Sequence, residues 1–211
     1  MRSRSLTVLP LLATALALTG CAVAPGPAPG KPAPTLPADS VAYDQLPVMT
    51  TRPNVFPGTC AQFEQNAQLR AAFEVQKTQF NGYQNLCSLT RASGPTAFVG
   101  ALDPSDRVPD PWAGTWGAYS YTLHHFRRTL LQENRYYAVD SLDVNGCTVS
   151  VNTGSKQVLE VSIQFNESGG ELVGDSVDAD RRIAAKSCPE TERLAEVYLE
   201  IVDPGGGSLA R

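Results

Sequence analysis

Cys60, Cys87, Cys147 and Cys188 lie 27, 60 and 41 residues apart in this chain. Thiols at such intervals can be oxidised in pairs or can hold zinc, but zinc sites favour close pairs such as Cys-x-x-Cys. These four offer none, so two disulfides are expected, and with them an oxidising, extracytoplasmic compartment. Four cysteines allow three pairings. Cys60–Cys87 and Cys147–Cys188 are favoured, because each pair joins elements expected to be neighbours. On the chain-entropy account, closing loops of that size stabilises a domain by roughly 3–4 kcal/mol each.

A fifth cysteine differs in setting. Arg2 and Arg4 precede an apolar run from Leu6 to Leu18, which ends in Thr19-Gly20-Cys21. About 13 residues of helix at ~1.5 Å per residue cover about 20 Å, short of the ~30 Å hydrocarbon core. The run therefore reads as a secretory signal peptide and not as a membrane span. Leu18-Thr19-Gly20-Cys21 resembles a bacterial lipobox, in which the thiol is alkylated with diacylglycerol and the chain is cut before the cysteine. Thiolate nucleophilicity makes Cys21 suited to that alkylation. A diacylglyceryl group supplies the two acyl chains that stable anchoring needs. Residues 1–20 are thus expected to be a lipoprotein signal peptide, and Cys21 the lipid attachment site.

Other reactive side chains are sparse. The two histidines, His124 and His125, are adjacent, so on a helix they would point about 100° apart and could not share one metal. Arg127 and Arg128 beside them would also repel a cation. "DSLDVNG" from Asp140 has a faint likeness to a calcium loop, but Ser141 and Asn152 would occupy the first and twelfth ligand positions, where Asp and Glu are wanted. No G-x-S-x-G, H-E-x-x-H, Walker or dinucleotide motif is present. No metal, no cofactor and no catalytic residue is expected. The most suggestive stretch is "PDPWAGTWGAYSYTLHHF", where Trp112, Trp116, Tyr119 and Tyr121 fall within ten residues. Two readings stand side by side. The rings could form a recognition loop for a glycan, lipid or protein, or they could cap the core over a sheet.

Charge excludes one class of partner. The chain carries 17 basic and 21 acidic residues, and without Arg2 and Arg4 its formal charge moves from −4 to −6. An acidic, Lys-poor surface is poorly suited to nucleic acid.

The elements that would position these groups follow from patterning. Six prolines between Ala22 and Pro37 preclude helix and sheet interior, so residues 21–52 are expected to be a lipidated, semi-extended tether. One α+β domain over 53–204 follows, and 205–211 reads as a loose tail. A helix is predicted from Thr59 as N-cap through "CAQFEQNAQLRAAF". Two short strands flank Ser93-Gly94-Pro95. The Pro-rich stretch around 105–116 is expected to be a loop. Tyr119, Leu123, Phe126 and Leu130 follow at helical spacing, so "AYSYTLHHFRRTLLQE" is predicted helical. "RYYAVDSLDV" reads as extended. "CTVSVNTGSKQVLEVSIQF" reads as a hairpin, with Val149 and Val151 facing Leu159, Val161 and Ile163. A last helix is predicted to start at the capping box Ser187-x-x-Glu190, with Pro189 in its first turn and an apolar face of Leu194, Val197, Tyr198 and Ile201. The expected fold is α+β: an antiparallel sheet of about five strands packed with helices and stapled by two disulfides.

A lipobox, a Pro-rich tether, a Cys before the first helix, "GCTVSVNTGSKQVLEVSIQF" and a closing "CPETERLAEVYLEIV" together resemble the actinobacterial lipoproteins grouped as domain of unknown function 3558. The resemblance covers most of the chain after Pro57. It implies an envelope lipoprotein similar in appearance to extracellular sensor domains of actinobacterial kinases, and it carries no catalytic residue across. The functional expectation is a membrane-anchored, non-catalytic binding or sensor module facing the cell-wall space, whose partner is an envelope protein, glycan or lipid. The alternatives are a carrier of an apolar compound held between helices and sheet and, behind it, a cryptic hydrolase.

Overall fold

The computed structural model describes residues 41–46, 51–117, 125–143, 146–164 and 176–209. Seven strands form one sheet: β1 (Val75–Asn81), β2 (Leu86–Arg91), β3 (Thr96–Leu102), β4 (Phe126–Leu131), β5 (Tyr136–Asp143), β6 (Gly146–Asn152) and β7 (Val158–Gln164). Their order across the sheet is β1-β2-β3-β7-β6-β5-β4. Every neighbouring pair is antiparallel. The architecture is α+β, as expected, but with seven strands where about five were predicted.

The two extra strands have separate causes. In β1 only Val75 is buried, so its alternation runs through polar residues and leaves no apolar period. In β4, Phe126 and Leu130 match a helical spacing, yet the segment pairs residue for residue with β5. Short apolar runs carry both periods, and the sheet decides between them. Residues 118–124, the rest of that predicted helix, lie outside the described residues.

The central hairpin matches its prediction. Val149 faces Val161 and Val151 faces Leu159 across β6 and β7. Period-two alternation puts Ala97, Val99, Val149, Val151, Leu159 and Val161 on one face, where all are buried. This face packs against α4 (Val177–Val202), whose Leu194, Ala195, Tyr198 and Leu199 complete the core. Helix α4 begins eleven residues before the predicted start. Its N-cap is Ser176, whose Oγ accepts from Ala179 N at 3.1 Å. Ser187 instead sits mid-helix and donates to Ile183 O at 2.6 Å, and Pro189 lies inside the helix. A proline there removes one helical hydrogen bond. The adjacent Cys188 compensates by tying this turn to Cys147 of β6.

The predicted first helix is divided into α1 (Ala61–Gln65) and α2 (Ala67–Ala72). Asn66 adopts an extended backbone, and its Oδ1 accepts from Gln68 N at 2.9 Å and Leu69 N at 3.1 Å. Such a cap starts a new helix where the pattern alone would continue the old one. Cys60 bonds to Cys87 of β2, so both favoured disulfides are present.

Both boundaries of the folded unit differ from expectation. Val41, placed in the predicted tether, is buried. At the other end, Pro204 to Leu209 form a strap along β5 instead of a loose tail. Arg135 Nη1 donates to Pro204 O at 2.7 Å and Gly206 O at 3.2 Å, and Ser208 Oγ accepts from Tyr137 N at 2.9 Å. A Cβ on Gly206 would fall 1.9 Å from an Asp203 carboxylate oxygen. Glycine is what allows the strap to lie so close. Residues 210–211 lie outside the described residues.

Candidate functional site

The second face of the sheet divides into two halves. Over β5 and the end of β7 it is apolar: Tyr137, Val139 and Val158 are buried under a short helix, α3 (Pro111–Gly117), and the 3-10 turn Tyr43–Gln45. The Pro-rich stretch predicted to be a loop therefore contains this helix. Asp110 Oδ1 accepts from Ala113 N at 3.0 Å and starts it. Trp112 and Trp116 are 5% and 1% exposed. Trp116 meets Tyr137 edge-on at 5.3 Å, and its Nε1 donates to Val41 O at 3.1 Å. The Arg128 guanidinium lies 5.1 Å from the Trp116 ring centroid and donates to the Trp116 carbonyl at 2.8 Å. Of the two readings of these tryptophans, the geometry supports the core cap and not an exposed recognition loop. Tyr119, Tyr121 and His124 lie outside the described residues, as does Cys21.

Over β2, β3, β7 and β6 no element covers the same face among the described residues, and a groove of about 790 Å3 opens there. Sites for small ligands fall in the ~300–1,000 Å3 range. The floor follows from register: Phe98 lies opposite Ser162, which lies opposite Thr148, while Glu160 and Gln164 flank Ser162 on the same face. The wall is the β1–β2 turn, Gly82 to Leu86. Asn81 Oδ1 fixes it by accepting from Tyr83 N at 3.1 Å and Gln84 N at 3.3 Å. Asn85 adopts a left-handed backbone at φ 48°. It bonds down onto β3, its carbonyl accepting from Ala101 N at 3.2 Å.

Gly100 makes this approach possible. A Cβ there would stand 2.6 Å from the Asn85 carbonyl oxygen. At the end of the groove Asp103 accepts from both Asn85 Nδ2 and Gln157 Nε2 at 2.7 Å. These side-chain bonds brace the wall against the sheet. Tyr83, at its tip, is 99% exposed. Among the described residues, the charged side chains lining the groove, Asp103 and Glu160, are both acidic, and no Lys, Arg, His or Cys lines it.

No family model, no curated protein and no solved structure matches this chain. Its chemistry therefore has to be read from its own side chains.

A second polar cluster lies on the α4 side. Asp140 is 0% exposed; its Oδ2 accepts from Arg127 Nε at 2.9 Å and Nη2 at 2.6 Å, while Oδ1 has no hydrogen-bond partner among the described residues. Arg127 also bonds to Glu192 of α4. Burial raises the Asp140 carboxyl well above the ordinary range, and neighbouring Glu192 adds to the rise, while Arg127 opposes it. Asp140 is thus turned into the protein, which removes it from any calcium loop. His125 precedes β4 and is not helical. Burial and then the Arg127 charge lower its pKa, with Glu192 opposing. Among the described residues no group of three acidic, His or Cys side chains is placed to hold a metal. Nor is any described helix long and apolar enough to cross a membrane.

The groove was legible only in part. Asn81-Gly82 is a hairpin signal, but it points to a turn only once β1 is recognised as a strand. The floor residues read simply as the outward side of two strands.

Proposed function

We propose that this chain is a lipid-anchored lipoprotein of a bacterial cell envelope, in keeping with its resemblance to the domain of unknown function 3558 lipoproteins, and that its folded unit binds a ligand without transforming it. Cys21 holds the protein to the membrane, the Pro-rich tether sets its reach, and the disulfide-stapled unit presents the groove to the cell-wall space. The observation that carries the binding reading is the groove itself. It is a braced concavity of mixed polar and apolar lining, on a sheet whose other face is filled by α4. Disulfides agree with an exported location. Among the described residues the groove lining carries neither histidine nor cysteine, the commonest side chains for base and nucleophile work at neutral pH. A carrier of apolar cargo finds less support. The layer between α4 and the sheet is occupied by Leu159, Val161, Leu194 and Tyr198 at or near zero exposure.

Mass spectrometry of the full chain, expressed in a bacterial host and extracted from membranes, tests the anchor. The expected species begins at Cys21 and carries a diacylglyceryl adduct, and Cys21→Ala should abolish both the adduct and membrane retention. An unmodified chain that stays with the soluble fraction would overturn the anchoring part of the proposal.

A further inference from the structure

The groove combines two kinds of surface. Tyr83, Leu86 and Phe98 supply ring and aliphatic faces, while Gln84, Gln164, Ser162 and Thr148 supply amides and hydroxyls. Amides and hydroxyls both donate and accept. A sugar ring has the same division, with one face of C–H groups that packs on aromatic carbon and a rim of hydroxyls that both donate and accept. Other ligand classes fit less well. An anion would call for Arg or Lys, which make the strong charge-assisted bonds to phosphate and carboxylate, and neither lines the groove among the described residues. An extended peptide usually adds to a sheet edge. Here the floor strands β3, β7 and β6 each have neighbours on both sides, so their backbone groups are already paired. An acyl chain needs a continuous apolar channel, and the floor instead carries Ser162, Glu160, Gln164 and Thr148.

We propose that this groove is a binding site for a neutral carbohydrate chain, stacked on Tyr83 and Phe98 and hydrogen-bonded by Gln84, Gln164, Ser162 and Thr148. This deepens the binding-module reading and rests on it. The fixed turn matters to the mechanism. Its Asn81 bonds and the absence of a side chain at Gly100 hold the backbone at Tyr83 in place before any ligand arrives, which lowers the ordering cost of binding. The open form of the groove admits a chain from the side, so an internal stretch of a polymer can enter as well as a free oligosaccharide.

Isothermal titration of the full chain, held in a sugar-free polyoxyethylene detergent, tests the assignment. The probes are neutral hexasaccharides (cellohexaose, chitohexaose, maltohexaose, mannohexaose and xylohexaose), with hexagalacturonate, hexalysine and palmitate as contrasts. At least one neutral saccharide should bind. Tyr83→Ala, which removes an almost fully exposed side chain, should weaken it at least tenfold with an unchanged melting temperature, and Gln164→Ala should weaken it severalfold. A parallel sedimentation assay with purified cell-wall polysaccharide separates the two sources: co-sedimentation competed by the soluble hexasaccharide marks a polymer ligand, and its absence a free oligosaccharide. Saccharide binding indifferent to both substitutions would overturn the site. Binding of hexalysine, hexagalacturonate or palmitate without any saccharide would overturn the ligand class and leave the binding module standing. Silence from every probe would overturn the carbohydrate assignment and withdraw support from the module as well.

Discussion

The two halves of the sheet's second face belong to one continuous antiparallel sheet, yet among the described residues one is sealed and the other open. Over β5, outward positions are Tyr137 and Val139, and the chain places two tryptophans on them. Over β7 beyond Val158, the outward positions are Glu160, Ser162 and Gln164. Covering such groups with another helix would strip them of water without supplying partners, at a cost of about 1–3 kcal/mol per polar group. An apolar outward row calls for a lid, whereas a polar one is compatible with solvent or with a ligand that brings its own hydrogen bonds. The difference lies in every second residue of the strands and not in the fold.

The largest test of this contrast is Trp116→Ala. Removing a buried indole beneath Val41 and above Tyr137 should cost about 3–5 kcal/mol in a denaturant melt, whereas Tyr83→Ala should stay within about 0.5 kcal/mol, as exposed positions do. Equal losses would mean that the two halves are not distinguished by burial.

Gly100→Ala probes the open half from beneath. The new Cβ meets backbone, which cannot swing aside as a side chain would, so the turn must lift. A loss of about 1–3 kcal/mol is expected, as for other overpacked sites. Amide resonances of Gly82 to Leu86 should shift in NMR spectra while the Trp112 and Trp116 indole signals stay put. Movement of the indole signals instead would show that the halves are mechanically joined.

The smallest effect is set by carboxylates. Asp103 in the groove is exposed, whereas Asp140 is enclosed between the sheet and α4. The folded-state pKa of Asp140 lies above its unfolded value of about 3.9. Its contribution to stability is therefore fully present below that value and is lost as pH rises through the folded pKa. His125, lowered by burial and Arg127, contributes in the opposite sense: stability is present above about pH 6.5 and is lost as pH falls through its folded pKa. Denaturation midpoints of the protein and of Asp140→Asn, measured from pH 4 to 8, should diverge in favour of the variant as pH rises. Parallel curves for Asp140→Asn would remove burial as the cause.

Elements with a single dominant period were readable from the chain. The β6–β7 hairpin alternates cleanly and is flanked by turn residues, so its register followed, and with it the pairing of Cys147 with the last helix. Elements with two readings were not. Phe126 and Leu130 satisfy helix and strand alike, and pairing with β5 decides. Ser187-Cys188-Pro189-Glu190 has the composition of a helix start, but Ser176 caps the helix eleven residues earlier, and packing on the sheet, with the disulfide, carries it through the proline. Gly206 and Gly207 read as loose, because part of their role is to leave room for Tyr136 and Arg135, which are distant along the chain.

The amino-acid sequence by itself determined the class of the fold, the likeness of its leader to a lipobox, and the two disulfides, because each depends on local composition, a fixed motif or the pairing of adjacent elements. Only the tertiary structure decided which aromatics are core and where the groove lies. Trp112 and Trp116 are as apolar as any exposed recognition residues, and what buries them is Tyr137 and Val41, which are distant along the chain. The groove exists because a turn between the first two strands is folded over a glycine in the third, onto polar side chains of the sixth and seventh. A relation among five strands is a property of register and curvature, and no single stretch of residues records it.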